Sequence, residues 1–178
     1  MAHLTQLPYP AEPPTAPDQV AESGPGSLPS VWHRAGARLF DTLIMEVPLL
    51  VLSLPYVDAS DPERIARDFP HWLVIAMAVT PIVFDLVFVL WRRATPGKML
   101  LGIEVRNYAD GGRLAFHQVA YRALIPHIGG IISLVWVAEG AQSFLAFITP
   151  FVFITAVYHP LRRGIHDRAA GTIVLRNR

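Results

Sequence analysis

Long apolar stretches alternate with polar ones along this chain, and their lengths predict membrane-crossing helices over about 35–56, 72–91, 120–137 and 141–158. About 20 residues at 1.5 Å each cross a ~30 Å hydrocarbon core. The third stretch holds only about 15 strongly apolar residues. It is interrupted by Pro126, Gly129 and Gly130, so it is expected either as a short span or as a re-entrant segment. Pro48 and Pro81 fall inside the first two spans, and Trp72 and Trp91 bracket the second as interfacial aromatics do. Over 99–116, Gly102-Ile-Glu-Val-Arg-Asn alternates apolar with polar, Asp110-Gly-Gly supplies a turn, and Arg113-Leu-Ala-Phe alternates again. That pattern predicts a β-hairpin. Gly171-Thr-Ile-Val-Leu-Arg is a further β-like run that would add a third strand. The expected fold is an all-α membrane protein, a four-segment transmembrane helical bundle with a small cytoplasmic β-hairpin or three-stranded sheet. Residues 1–30, rich in Pro and poor in large apolar side chains, are expected to be a disordered leader. Residues 31–178 form the membrane domain, with 160–178 as a tail.

Composition supports the membrane reading, because 52% of residues are hydrophobic and only 16% charged, against about 25% charged in soluble domains. The absence of cysteine excludes disulfides, thiolate metal sites and cysteine nucleophiles. A net charge of +1 hides strong sorting and gives no reason to expect nucleic acid as a partner. Arg64 and Arg67 fall in the first loop and no basic residue in the third, whereas the other 13 of 15 Lys and Arg lie on the opposite side. The positive-inside rule then places both termini of a multi-pass cell-membrane protein in the cytoplasm. The first 30 residues hold no Lys or Arg, so no secretory signal peptide is expected and the first span serves as its own signal.

The candidate chemistry lies inside the spans. Arg34, Arg38 and Asp41 are four and three residues apart, which sets them within roughly 60° of one another on one helix face. A charge at bilayer depth costs about 2.5–3.5 kcal/mol on insertion scales, so such groups face a bundle interior or a wet cavity. Asp41 lies seven residues inside Arg34, and Asp85 seven inside Arg92. Both acids are therefore roughly 10 Å from the same membrane face. They are expected either to share one polar site across two antiparallel helices or each to pair with a nearby arginine. His127, inside the third segment, is expected to hydrogen-bond a neighbouring helix.

Three stretches carry a family likeness. Arg34-Ala-Gly-Ala-Arg-Leu-Phe-Asp41, Thr95-Pro-Gly-Lys-Met-Leu-Leu-Gly-Ile-Glu-Val105 and Arg162-Arg-Gly-Ile-His-Asp-Arg-Ala-Ala-Gly-Thr172, in this order and separated by apolar spans, resemble the RDD family of small bacterial membrane proteins. The likeness covers about Trp32 to Arg178. It carries the family's arginine to Arg34, its first aspartate to Asp41 and its second to Asp167, and places Asp85 where an acid is common. Arg93 and Ala94 stand where the family more usually has Gly and Gln. The resemblance implies an integral membrane protein suspected of transport.

If the tail folds back, His166 and Asp167 would cap the mouth toward which Arg34, Asp41 and Asp85 point, with Lys98 closing it from the other side. The candidate binding residues are thus Arg34, Arg38, Asp41, Asp85, Lys98, His166 and Asp167, with His166, titrating near neutrality, as a gate. The expected function is exchange of a proton, cation or small solute through this buried Arg/Asp site. The alternative is a structural or accessory membrane protein whose network only specifies helix assembly. An enzyme is not expected, since Gly-x-Ser-x-Gly is missing and Thr95-Pro-Gly-Lys98 lacks the first glycine of a phosphate loop. No cofactor or resident metal is expected. The bilayer is the expected partner, and four short spans suggest a homo-oligomer.

Overall fold

A computed structural model describes residues 9–57, 60, 69–135 and 152–178. Helix α1, Val31–Ser53, opens at Ser30, whose hydroxyl accepts from the His33 backbone N–H at 3.2 Å, and runs through Pro48 into a 3₁₀ turn at Leu54–Tyr56. Helix α2, His71–Arg92, runs through Pro81 and ends where Arg93 takes a left-handed conformation at φ 58°.

Both helices are inverted relative to a soluble protein. The buried residues of α1 are Ala37, Asp41, Met45, Leu49 and Ser53, every fourth position, and those of α2 are Leu73, Pro81, Asp85 and Val89. Each inward stripe therefore carries an aspartate. The outward faces expose Leu39, Leu43, Leu50 and Val51 on α1, and Ile75, Val83, Val87 and Trp91 on α2. Among the described residues α2 is the one helix long and apolar enough to cross a membrane, with a mean hydropathy of 2.6. Helix α1 is as long but carries Arg34, Arg38, Asp41 and Glu46 within it.

After α2 a short helix α3, Pro96–Leu100, leads into strand β1, Ile103–Asn107. The third apolar segment is not one helix. It is α4, Phe116–Leu124, a 3₁₀ turn at Ile125–His127 around Pro126, and α5, Ile128–Val135. Pro126 has no N–H to continue an α-helical ladder, which accounts for the break. Residues 136–151, holding most of the expected fourth span and its tight connection, lie outside the described residues, as does most of the first loop with Arg64 and Arg67. Helix α6, Ile165–Ala169, and strand β2, Thr172–Arg176, follow.

The expected hairpin is corrected. Strand β1 pairs antiparallel with β2, 69 residues away at Val105↔Val174, in a two-stranded sheet. The Arg113-Leu-Ala-Phe run forms no strand. Gln118 Oε1 accepts from the Ala115 backbone N–H at 3.0 Å, capping α4 and turning the chain into a helix after too few extended residues for a ladder.

The sheet has two apolar faces. Ile103, Val105 and Val174 pack on Ala37, Val89 and Val119 at the end of the helices, whereas Ile173 and Leu175 pack with Leu161 and Val20. Val20 belongs to the leader, so that segment also departs from the expectation of disorder. Over residues 9–30 it lies across the sheet. The Tyr9 hydroxyl donates to the Tyr108 carbonyl at 2.6 Å, and the Tyr108 hydroxyl to the Pro14 carbonyl at 2.6 Å. Backbone bonds from Gly26 N to Arg176 O (2.8 Å) and from Arg176 N to Ser27 O (2.9 Å) hold it along β2. Tyr9, Val20 and Leu28 supply the apolar contact that the proline count conceals.

Candidate functional site

Where the inner stripes of α1 and α2 meet the sheet end of the molecule, three aspartates are buried, each with its own set of donors. Asp41, 0% exposed, accepts from the Thr95 hydroxyl and, at 2.8 Å, from the Gly97 backbone N–H. It thereby anchors the first turn of α3 to α1. The fit is close, since a Cβ on Gly97 would stand 2.2 Å from the Ala37 carbonyl oxygen. Asp85 accepts both its hydrogen bonds from Arg38 Nη1, at 3.0 and 3.3 Å, tying α2 to α1. Arg38 Nη2 lies 3.0 Å from His127 Nε2, and the guanidinium sits 5.0 Å over the Phe153 ring.

Asp167, also 0% exposed, is held by two arginines from different helices. Arg34 of α1 bonds one oxygen and the Arg162 carbonyl, and Arg122 of α4 pairs with the other oxygen. The Gly164 N–H donates to Asp167 at 3.2 Å, and Arg122 also donates to the Thr172 hydroxyl at 3.0 Å. Helix α6 is thus locked onto α1, α4 and β2 through one carboxylate.

Between these pairs lies a cavity of about 30 Å³, lined by Arg34, Arg38, Asp85, Lys98, Arg122 and His166 with Phe153 and Pro126. That is roughly twice the ~10–15 Å³ one water needs. Lys98 is partly exposed and lines the cavity beside Asp85 and Arg122. Burial, and then Arg122, pull its pKa down from 10.5 to about 8, against the opposing pull of Asp85 and Asp41. His166 is 1% exposed, and neither ring nitrogen finds a hydrogen-bond partner among the described residues. Its Nε2 is 3.3 Å from Asp167 Oδ1, but out of line for a bond. Burial, with Arg122 and Arg34 beside it, holds its pKa well below the ordinary 6.5.

The match to the RDD family description runs over residues 28–171. The chain belongs to the RDD family. A protein of Bacillus subtilis (strain 168) named uncharacterized membrane protein YteJ is 24% identical over 148 residues, spanning 81% of this chain and 78% of its own. No solved structure matches. The RDD arginine taken as Arg34 and the second aspartate taken as Asp167 prove to be direct partners.

Of the residues expected from the RDD pattern and the spans, Arg34, Arg38, Asp85, Lys98 and His166 line one cavity, and Asp167 closes its edge through Arg34. Asp41 does not share a pair with Asp85. It turns instead to the backbone of the Thr95-Pro-Gly turn, because its helix face meets α3 rather than α2. Burial and the neighbouring guanidiniums push the His166 pKa below its ordinary value, which favours a neutral ring. Arg122 escaped the sequence reading. Its signal was a lone arginine just ahead of an apolar run, as Arg34 stands at the head of α1.

Neutral burial of His166 carries a pH dependence. The unfolded chain binds a proton near 6.5 and the folded chain only well below it. Stability is therefore full above 6.5 and falls as pH drops under it, by up to about 1.4 kcal/mol per pH unit. Thermal unfolding in detergent between pH 7 and pH 5 is expected to show this loss, and His166→Phe to reduce it. Equal slopes for both proteins would contradict the assignment.

Proposed function

We propose that this RDD-family membrane protein exchanges a small charged solute across the bilayer through the cavity between Arg38, Asp85, Lys98 and His166. The observation behind this reading is the buried His166 ring, neither nitrogen of which finds a hydrogen-bond partner among the described residues, set with the partly exposed Lys98 around a space large enough for a small guest. A group buried without partners costs about 1–3 kcal/mol or more. A purely structural network has no use for such a cost. The lipid-facing apolar surfaces of α1 and α2, the positive-inside sorting of Lys and Arg, and the basic sheet end support both termini and the sheet on the cytoplasmic side, with the cavity opening there.

The assembly reading is favoured for part of the cluster. Asp41 and Asp167 spend their acceptors on protein donors, and fix α3 and α6 in place. They act as scaffold, and the exchange role falls on Asp85 and Lys98.

Asp85→Asn in reconstituted proteoliposomes is expected to lower solute-coupled flux per folded protein at least tenfold, with a smaller loss of folded yield than Asp167→Asn, because one arginine rather than two loses its counter-charge and Arg38 is 20% exposed and keeps its contacts with His127 and Phe153. Flux is read with pH- and ion-sensitive dyes inside the vesicles. A wild type that moves no solute in any gradient, or an Asp85→Asn protein as active as wild type, overturns this function.

A further inference from the structure

Four cations surround the cavity: Arg34, Arg38, Lys98 and Arg122. The buried acids in reach are Asp41, Asp85 and Asp167, and each directs its oxygens at other donors. Asp167 is divided between two guanidiniums, Asp85 is taken by Arg38, and Asp41 by Thr95 and Gly97. Lys98 hydrogen-bonds none of them, and His127 engages Arg38 through its Nε2. Glu46, half-buried two turns along α1 from Arg38, feels that arginine but does not line the space. Among the described residues the cluster therefore holds four cations, Arg122 buried and the other three partly so, against three buried carboxylates. In a bundle sheathed by apolar helix faces, an uncompensated charge is costly enough to require a counter-ion.

We infer that the cavity is a binding site for a small inorganic anion, of halide or nitrate size, held by the Lys98 ammonium and a His166 N–H with Arg38 and Arg122 at its sides. The inference rests on the exchange reading for its consequence, though not for its geometry. A cation entering the same space would meet Lys98 and the guanidiniums before any free carboxylate oxygen. Three His, Asp or Glu side chains grouped to hold a metal are absent among the described residues. The neutral imidazole suits the role, because it supplies a donor without adding charge, and its ring is fixed edge-on against Phe153 at 4.8 Å. The volume of about 30 Å³ admits one compact ion and excludes an organic acid of several carbons.

The test uses the full chain in nanodiscs of uncharged lipid. Thermal unfolding is followed while sodium chloride or sodium nitrate replaces sodium gluconate at constant ionic strength, and again with choline in place of sodium. The expected result is a saturable rise of several degrees in the midpoint with chloride or nitrate, the same with either cation, and no rise in Lys98→Gln. That variant removes one cation from a cluster rich in them and is expected to fold at least as well as wild type. A wild-type midpoint indifferent to both anions, a shift that follows sodium rather than the anion, or an undiminished shift in Lys98→Gln overturns the inference. Anion-dependent stabilisation without flux in proteoliposomes leaves the site standing and removes the exchange reading. Cation flux without an anion-dependent shift does the reverse.

Discussion

Asp167→Asn is expected to remove about 3–5 kcal/mol of stability and to leave little monodisperse protein in detergent. One carboxylate balances Arg34 and Arg122, and its backbone position fastens α6 and β2 to α1 and α4. The amide keeps the shape but removes the charge, so two buried guanidiniums are left facing each other across a neutral group. Against a total stability of about 5–15 kcal/mol this is a fifth or more of the whole. Size-exclusion profiles and thermal midpoints compare the variant with wild type. A midpoint within a few degrees of wild type would show that the pairs are wet and weak rather than the clamp described above.

Gly97→Ala comes next in expected size. Its added methyl would stand 2.2 Å from the Ala37 carbonyl oxygen and 3.0 Å from Asp41 Oδ1. The first of these contacts is with backbone, so α1 and α3 must separate. Separation stretches the 2.8 Å bond from Gly97 N to Asp41 and strands a buried carboxylate. Overpacking of about 1–3 kcal/mol and an unmet acceptor of about 1–3 kcal/mol act together. Gly36→Ala is the matched control. There a Cβ would meet only the tip of Leu101, at 3.3 Å, and the gain in helix propensity of about 1 kcal/mol offsets the contact. Differential scanning fluorimetry of the two variants should separate them clearly. Equal midpoints would mean that the close approach at Gly97 is not a constraint.

Spacing along one helix was enough to find the polar face of α1, because Arg34, Arg38 and Asp41 are set by the 3.6-residue period alone. Which partner each takes was not legible. Arg38 reaches Asp85, Arg34 reaches Asp167 and Asp41 reaches the Thr95-Pro-Gly turn, and those choices depend on how the helices rotate against one another. The sheet was misread for a related reason. Turn residues at Asp110-Gly-Gly favour a local partner, whereas the apolar faces of Ile103, Val105, Ile173 and Leu175 need the distant strand. In the leader, the proline count outweighed Tyr9, Val20 and Leu28, whose value lies in the surface they cover and not in their number. Arg122 was hidden by its ordinary amphipathic surroundings.

The clamp at Asp167 also dictates a sequence of events. Synthesis runs from the amino end, so Arg34 and Arg122 leave the ribosome before the carboxylate that neutralises them. During that interval their guanidiniums must stay at the wet edge of the lipid, and the helices bearing them can be seated only provisionally. The carboxylate that neutralises both arginines is the last of the three to be made, so the clamp can close only once α6 and β2 are present.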